Sequence, residues 1–214
     1  MAKFDHHVHT SRHSPDSGIT PNELVERARE AGLDGVVITE HDYQWEAEEL
    51  AELARLGEER GVVVLSGAEV SAREGHFLVY GLPDLKEAPA GVRLMDLIGV
   101  VKRHGAAIVA AHPFRWDQDF EAIFRAHGAG LDALELVSNN VTPETRAKTE
   151  RLLAKSRLGR TGSSDGHEPG VVGCYFSEFA EEIKTIGEFV AAIRGGKGRP
   201  GHCAGALEAS GPVA

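Results

Sequence analysis

The sequence predicts an α/β fold, a parallel sheet closed into a barrel, within one domain. Two observations carry the prediction. Short apolar, β-branched runs alternate with helical patterns over most of the chain, and about seven such units are enough to close a sheet. Histidines and acids also recur at the ends of the predicted strands, the end at which barrels of this kind gather function.

The first strand is Asp5 to Thr10. Strict alternation places Phe4, His6 and Val8 on one face and Asp5, His7 and His9 on the other, with His7 and His9 about 6–7 Å apart. A polar loop over 11–19, broken by Pro15 and Gly18, leads to Thr20-Pro21-Asn22-Glu23. That is a helix start, with Thr as N-cap and Pro at the first position. Leu24, Val25, Ala28 and Ala31 form its apolar face and Gly32 ends it.

Residues 34–39 read as a buried parallel strand delivering Glu40-His41-Asp42, followed by a helix over about 44–60. The next strand, 61–66, ends at Gly67-Ala68-Glu69, and 76–80 is a strand with His76 at its start. A Pro- and Gly-bearing loop over 82–91 leads to a helix near 92–104, then a strand at 106–111 ending in His112-Pro113-Phe114-Arg115. A short helix over 120–126 precedes the strand 133–137. Thr142-Pro143 opens a helix running to 155. The strand 159–163 ends in Ser164-Asp165-Gly166-His167, residues 171–179 add an edge strand, and 186–193 form a last helix stopped by Gly195-Gly196. Residues 1–198 make the barrel domain, and 199–214, rich in Gly, Ala and Pro, are expected to be a poorly ordered tail.

With 214 residues, 42% apolar and 26% charged, the composition is that of a soluble globular domain. No apolar run reaches membrane-spanning length and no signal peptide is visible. Cys174 and Cys203 form neither a disulfide framework nor a metal motif, so a reducing cytoplasmic setting is expected. The net charge of −10 gives no basic excess to replace phosphate counterions, so nucleic acid is a possible but not a favoured partner, and no membrane partner is expected. Eleven histidines are many for this length.

Taken together, His7-x-His9, Asp16, Glu40-His41, Glu69, His76, His112-Pro113 and Asp165-x-His167 resemble the polymerase and histidinol phosphatase (PHP) family, from about Asp5 to Gly173. The resemblance implies a distorted TIM-like (β/α)7 barrel and two to three divalent metal ions, zinc, manganese or iron. Carried over, it places His7, His9, Glu69 and Asp165 on a first metal. Glu69 bridges to a second metal held by His76 and His112, and Asp16, His41 and His167 hold a third. Imidazole nitrogen and carboxylate oxygen suit those metals, and the lack of thiolates disfavours a purely structural zinc site.

The implied activity is phosphoester hydrolysis by metal-activated water on a small phosphomonoester or a nucleotide-type phosphate. A histidinol-phosphate phosphatase or an exonuclease-like phosphodiesterase is the alternative within that class. Outside it stand an amidohydrolase-type enzyme and a non-catalytic metal-binding scaffold, but no lysine ends a predicted strand and no ligand is missing. His41, Asp42 and His13 are the candidate proton donors, and Arg115, then Arg12, the candidate phosphate grips. His6 is expected to be packed or at the surface. Glu135 is read as structural, Glu40 as either supporting a ligand or facing solvent, Asn139 and Asn140 as turn residues, and Trp45 and Trp116 as buried at the barrel edge.

Overall fold

The structure, a computed structural model, describes residues 1–203 apart from the side chain of Asp117. The chain runs β1 (Ala2–Val8), α1 (Pro21–Glu30), β2 (Gly35–Ile38), α2 (Ala47–Arg60), β3 (Val63–Ala72), β4 (Gly75–Tyr80), α3 (Leu94–His104), β5 (Ala107–Ala110), α4 (Phe120–His127), β6 (Ala133–Val137), α5 (Pro143–Leu153), β7 (Gly159–Gly162), β8 (Tyr175–Phe179), α6 (Ile186–Arg194) and β9 (Arg199–His202). The expected helix starts are real: Thr20 accepts from the Glu23 N–H, and Thr142 closes a reciprocal cap with Thr145.

All nine strands belong to one sheet, in the order β7-β6-β5-β4-β3-β2-β1-β8-β9. The sheet rolls until the segment after β7 meets β1. Val8 bridges Gly166, the His9 N–H donates to the Gly166 carbonyl at 3.0 Å, and the Gly162 N–H donates to Ser177 of β8 at 3.0 Å. The barrel is therefore nearly closed, with β8 between β1 and β9 rather than at an edge.

Two expectations change. The sheet is not all parallel, because β4 runs antiparallel to both β3 and β5. Only Arg73 and Glu74 separate β3 from β4, with Ala72 paired to Gly75, and so short a link permits only a hairpin. The antiparallel strand brings its beginning, not its end, to the functional rim, which is why His76 arrives there. Arg199–His202, expected in the tail, pair with β8 as β9, and the rest of that expected tail from residue 204 lies outside the described residues.

The core has three parts. One joins Phe4, Val37, Leu65, Tyr80, Val109 and Ala133 to Phe189 and Ile193 of α6. Strands so far apart in the sheet meet only in the lumen of a rolled sheet, so α6 plugs the barrel. The other two lie between sheet and outer helices, one against α3 and α4, the other against α1 and α2.

A β-bulge in β1 sets the site. Asp5 pairs with Val36 and Val8 with Ile38, so two residues, His6 and His7, oppose the single residue Val37. Val36, Ile38 and Val8 face the outer core while Val37 faces the lumen. Both histidines consequently point inward, which corrects the alternation expected for Phe4 to His9. His6 serves the lumen core, its ring nitrogens 2.7 Å from Tyr80 Oη and 3.0 Å from Ser177 Oγ, and burial pushes its pKa down to about 4. Asp5 turns outward and accepts from the Ser164 and Gly173 N–H groups. Burial raises its carboxyl to about 6.

Candidate metal centre

Nine side chains meet at one rim of the barrel. His7 and His9 leave β1, Asp16 the following loop, His41 the end of β2, Glu69 the middle of β3, and His76 the start of β4. His112 follows β5, and Asp165 and His167 follow β7. Ligand atoms of His7, His9, Glu69 and Asp165 lie within 4.8 Å of one another, as do those of Glu69, His76 and His112, and those of His9, His41 and His167. Asp16 Oδ2 adds to the last group, 3.1 Å from His41 Nε2 and 3.2 Å from His167 Nε2. The structure thus gathers all nine residues expected as ligands, and the three groups share Glu69 and His9.

The hydrogen bonds around the rings determine which nitrogen faces the centre. His7 Nδ1 lies 3.1 Å from Glu135 Oε1, and a carboxylate only accepts, so Nδ1 carries a proton and Nε2 is the nitrogen that faces the centre. Ser14 donates its single proton to Glu40 at 2.6 Å. The 3.4 Å contact between Ser14 Oγ and His9 Nδ1 then has the ring donating, and His9 Nε2 also faces inward as an acceptor. Nε2 of His7 and Nε2 of His9 are buried with no hydrogen-bond partner, while Oε2 of Glu69 lies 2.8 Å from His41 Nδ1. His41 Nε2 and His167 Nε2 face each other at 3.3 Å. Orphaned buried acceptors are costly, and convergent ones fit a cation.

The titration behaviour has the same cause. Burial opposes charge on His7, yet Asp165, Glu69 and Glu135 outweigh it and hold the imidazole well above its ordinary range. Burial likewise opposes charge on His41, but Glu69 and Asp16 lift it to about 9. Glu69 and Asp165, buried but ringed by histidines, stay well below the usual carboxylate range. Protons hold the place of positive charge here, and a bound cation would displace them.

Backbone strain concentrates on the same rim. The non-glycine residues with left-handed φ are Asp42 (52°), His112 (28°), Phe114 (69°), Trp116 (54°) and Asp165 (53°), among the described residues. Such conformations cost about 1–3 kcal/mol each and persist where surrounding contacts enforce them.

The supporting residues differ from expectation. Glu135, read as structural, is fully buried and accepts from Ser163 Oγ and the His112 N–H besides meeting His7, so it orients two of the gathered histidines. Glu40 is also buried, bracketing the first loop through Thr10, Ser14 and the Trp45 indole N–H at 3.0 Å. Asn140 donates to Asp165 Oδ2 at 2.5 Å rather than only shaping a turn. A buried carboxylate partner for a histidine has no local sequence pattern, and the Glu40–Ser14–His9 chain spans three separate segments.

Of the candidate proton donors, only His41 reaches the centre. His13 instead meets Glu49 at 3.0 Å and stacks on Tyr43. Asp42 accepts from the Ser71 N–H at 2.7 Å, tying the end of β2 to β3. Arg12 pairs with Glu49 and lies over Trp45, away from the cluster. Arg115 stays at the centre, Nη1 3.5 Å from Asp165 Oδ2. Trp45 is buried as expected, but Trp116 is 64% exposed, because the left-handed turn at 114–116 sends Phe114 toward the core and Trp116 outward.

A family model described as "PHP domain" matches residues 5–191. A protein of Methanocaldococcus jannaschii described as uncharacterized is 29% identical over 121 residues, covering 52% of this chain and 68% of that one. A 3′,5′-nucleoside bisphosphate phosphatase of Chromobacterium violaceum is 27% identical over 173 residues, covering 74% of this chain and 58% of the relative. Among solved structures, a two-domain protein of Bacteroides vulgatus, described as containing a predicted PHP-like metal-dependent phosphoesterase, superposes with a TM-score of 0.73 at 19% identity. That superposition covers 94% of this chain and 64% of the other. The chain therefore spans less than two thirds of the phosphatase and of the two-domain protein.

Proposed function

The chain belongs to the PHP domain family, and on that premise we propose that it is a metal-dependent phosphoesterase acting on a small phosphomonoester or a nucleotide-type phosphate. The observation that carries the proposal is the convergence of the buried ligand atoms of His7, His9, Glu69 and Asp165 within 4.8 Å of one another, with His7 Nε2 and His9 Nε2 lacking a hydrogen-bond partner. His7, His9, Glu69 and Asp165 would hold one cation, Glu69, His76 and His112 a second, and Asp16, His41 and His167 a third. Bound there, zinc, manganese or iron would acidify water and neutralise phosphate charge.

The chain's own groups do the rest. Glu135 and the Ser14–Glu40 pair hold the two first-strand imidazoles in the tautomer that faces the centre. Arg115, at the open side of Asp165, supplies a forked donor for a phosphate oxygen. None of the three candidate proton donors is free to move a proton at the leaving oxygen: His13 and Asp42 are committed to Glu49 and Ser71, and His41 presents Nδ1 to Glu69 and Nε2 to Asp16. The net charge of −10 favours a small substrate over a polyanion that would need a broad basic surface.

The test is phosphate release from a panel of phosphomonoesters and nucleotides by chelator-stripped protein and by the same protein reloaded with manganese or zinc. Release restored by metal and lost in Glu69→Ala is the expected result. Stripped protein that hydrolyses as fast as reloaded protein would contradict the proposal.

A further inference from the structure

Trp116 exposes most of an indole beside a charged centre. Its ring lies 5.1 Å from the ring of His76 and 5.5 Å from that of His112, centroid to centroid. The Arg115 guanidinium sits 4.1 Å from its centroid. A tryptophan of this kind could bury on the order of 150–250 Å² if covered. Here the backbone keeps it uncovered: His112, Phe114 and Trp116 all adopt left-handed φ within five residues. Phe114 anchors the turn by packing edge-on against Phe120, 5.5 Å away. The fold accepts strain to hold an apolar plate at the mouth of a polar site.

We propose that Trp116 is a stacking platform for an aromatic base of the substrate, so that the site selects nucleotides over aliphatic phosphoesters. A phosphate held at the centre and by Arg115 places whatever follows the sugar toward the indole. Stacking suits a planar, weakly polar group and tolerates any base. Arg115 then has two tasks, gripping phosphate with its N–H groups and stiffening the indole through its face. The proposal rests on the phosphoesterase reading for the position of the phosphate, whereas the stacking contact is measurable without turnover.

The experiment uses the metal-loaded full chain and two probes, adenosine 5′-monophosphate and glycerol phosphate. Wild type should favour the nucleotide, and Trp116→Ala should lower the ratio of the two kcat/KM values on the order of tenfold, the loss lying in KM. Trp116→Phe should restore much of that ratio. A fall shared equally by both probes would mark a structural role and overturn the proposal, as would no change in the ratio. Emission provides the second readout. The chain has two tryptophans, and Trp45 is buried, so adenosine 5′-monophosphate should quench the exposed component and leave Trp116→Phe unquenched. If the metal-loaded chain hydrolyses neither probe nor any other member of the panel, the phosphoesterase reading falls, yet the quench still decides the stacking. Hydrolysis without any quench overturns the stacking alone.

Discussion

Glu135 touches no open face of the centre, yet it decides how two of its histidines present themselves. It receives His7 Nδ1 and the His112 N–H, so Glu135→Gln leaves the ligands in place but turns an acceptor into a group that can donate. Metal affinity measured by competition with a chelator should fall about 10–100-fold. Equal affinity in the variant would contradict the orienting role. His6 shows the opposite case, a histidine beside the ligands that serves the core. His6→Leu would strip Tyr80 and Ser177 of a buried partner, costing about 1–3 kcal/mol. The melting temperature should drop by about 2–12 °C for a chain of this size, and an unchanged melting curve would show that the network contributes nothing. At this scale the nine candidate ligands were legible because their motifs follow one another in a recognisable order, most of them at the ends of predicted strands. Glu135, Ser14 and Asn140 were not, since their partners are 128, 5 and 25 residues away and nothing local marks them.

The strand β1 carries His7 and His9, and its position depends on Gly35 of β2. A Cβ there would meet the Phe4 ring and lie 2.8 Å from the Val63 carbonyl oxygen, so β1 and β2 lie as close as they do only because the side chain is missing. Gly35→Ala should destabilise by about 1–3 kcal/mol, read as a lower urea midpoint. It should also weaken metal binding, because β1 must shift. A variant with wild-type midpoint and affinity would show that the close approach does not position the ligands. Helices were legible from caps and periodicity, as Thr20-Pro21 and Thr142-Pro143 show. Alternation failed in β1, because a bulge adds one residue without a signature, and His6 and His7 were placed on opposite faces when both point inward. The extended β3 was also hidden: Gly67, Ala68 and Ser71 lack the bulk that marks a strand, so the hairpin to β4 and its antiparallel direction went unread.

For the whole molecule, the rolled sheet converts nine scattered residues into one centre, and a cation bound there would tie stability to metal. No helix among the described residues is long and apolar enough to cross a membrane. Each cation that binds the native centre at about 100 times its Kd would stabilise it by about 2.7 kcal/mol. Chelation should therefore lower the melting temperature by about 5–11 °C for each site emptied, and reloading should restore it. Insensitivity to chelator would mean that the convergent acceptors are satisfied in some other way.

The most direct test of the central claim is elemental analysis of the reloaded protein, with phosphate release recorded on the same sample. The account predicts two to three divalent metals per chain, fewer in Glu69→Ala because two of the groups share that carboxylate, and phosphate release that falls with the metal. A chain that binds no metal under any loading condition, or the same number with and without Glu69, would contradict it.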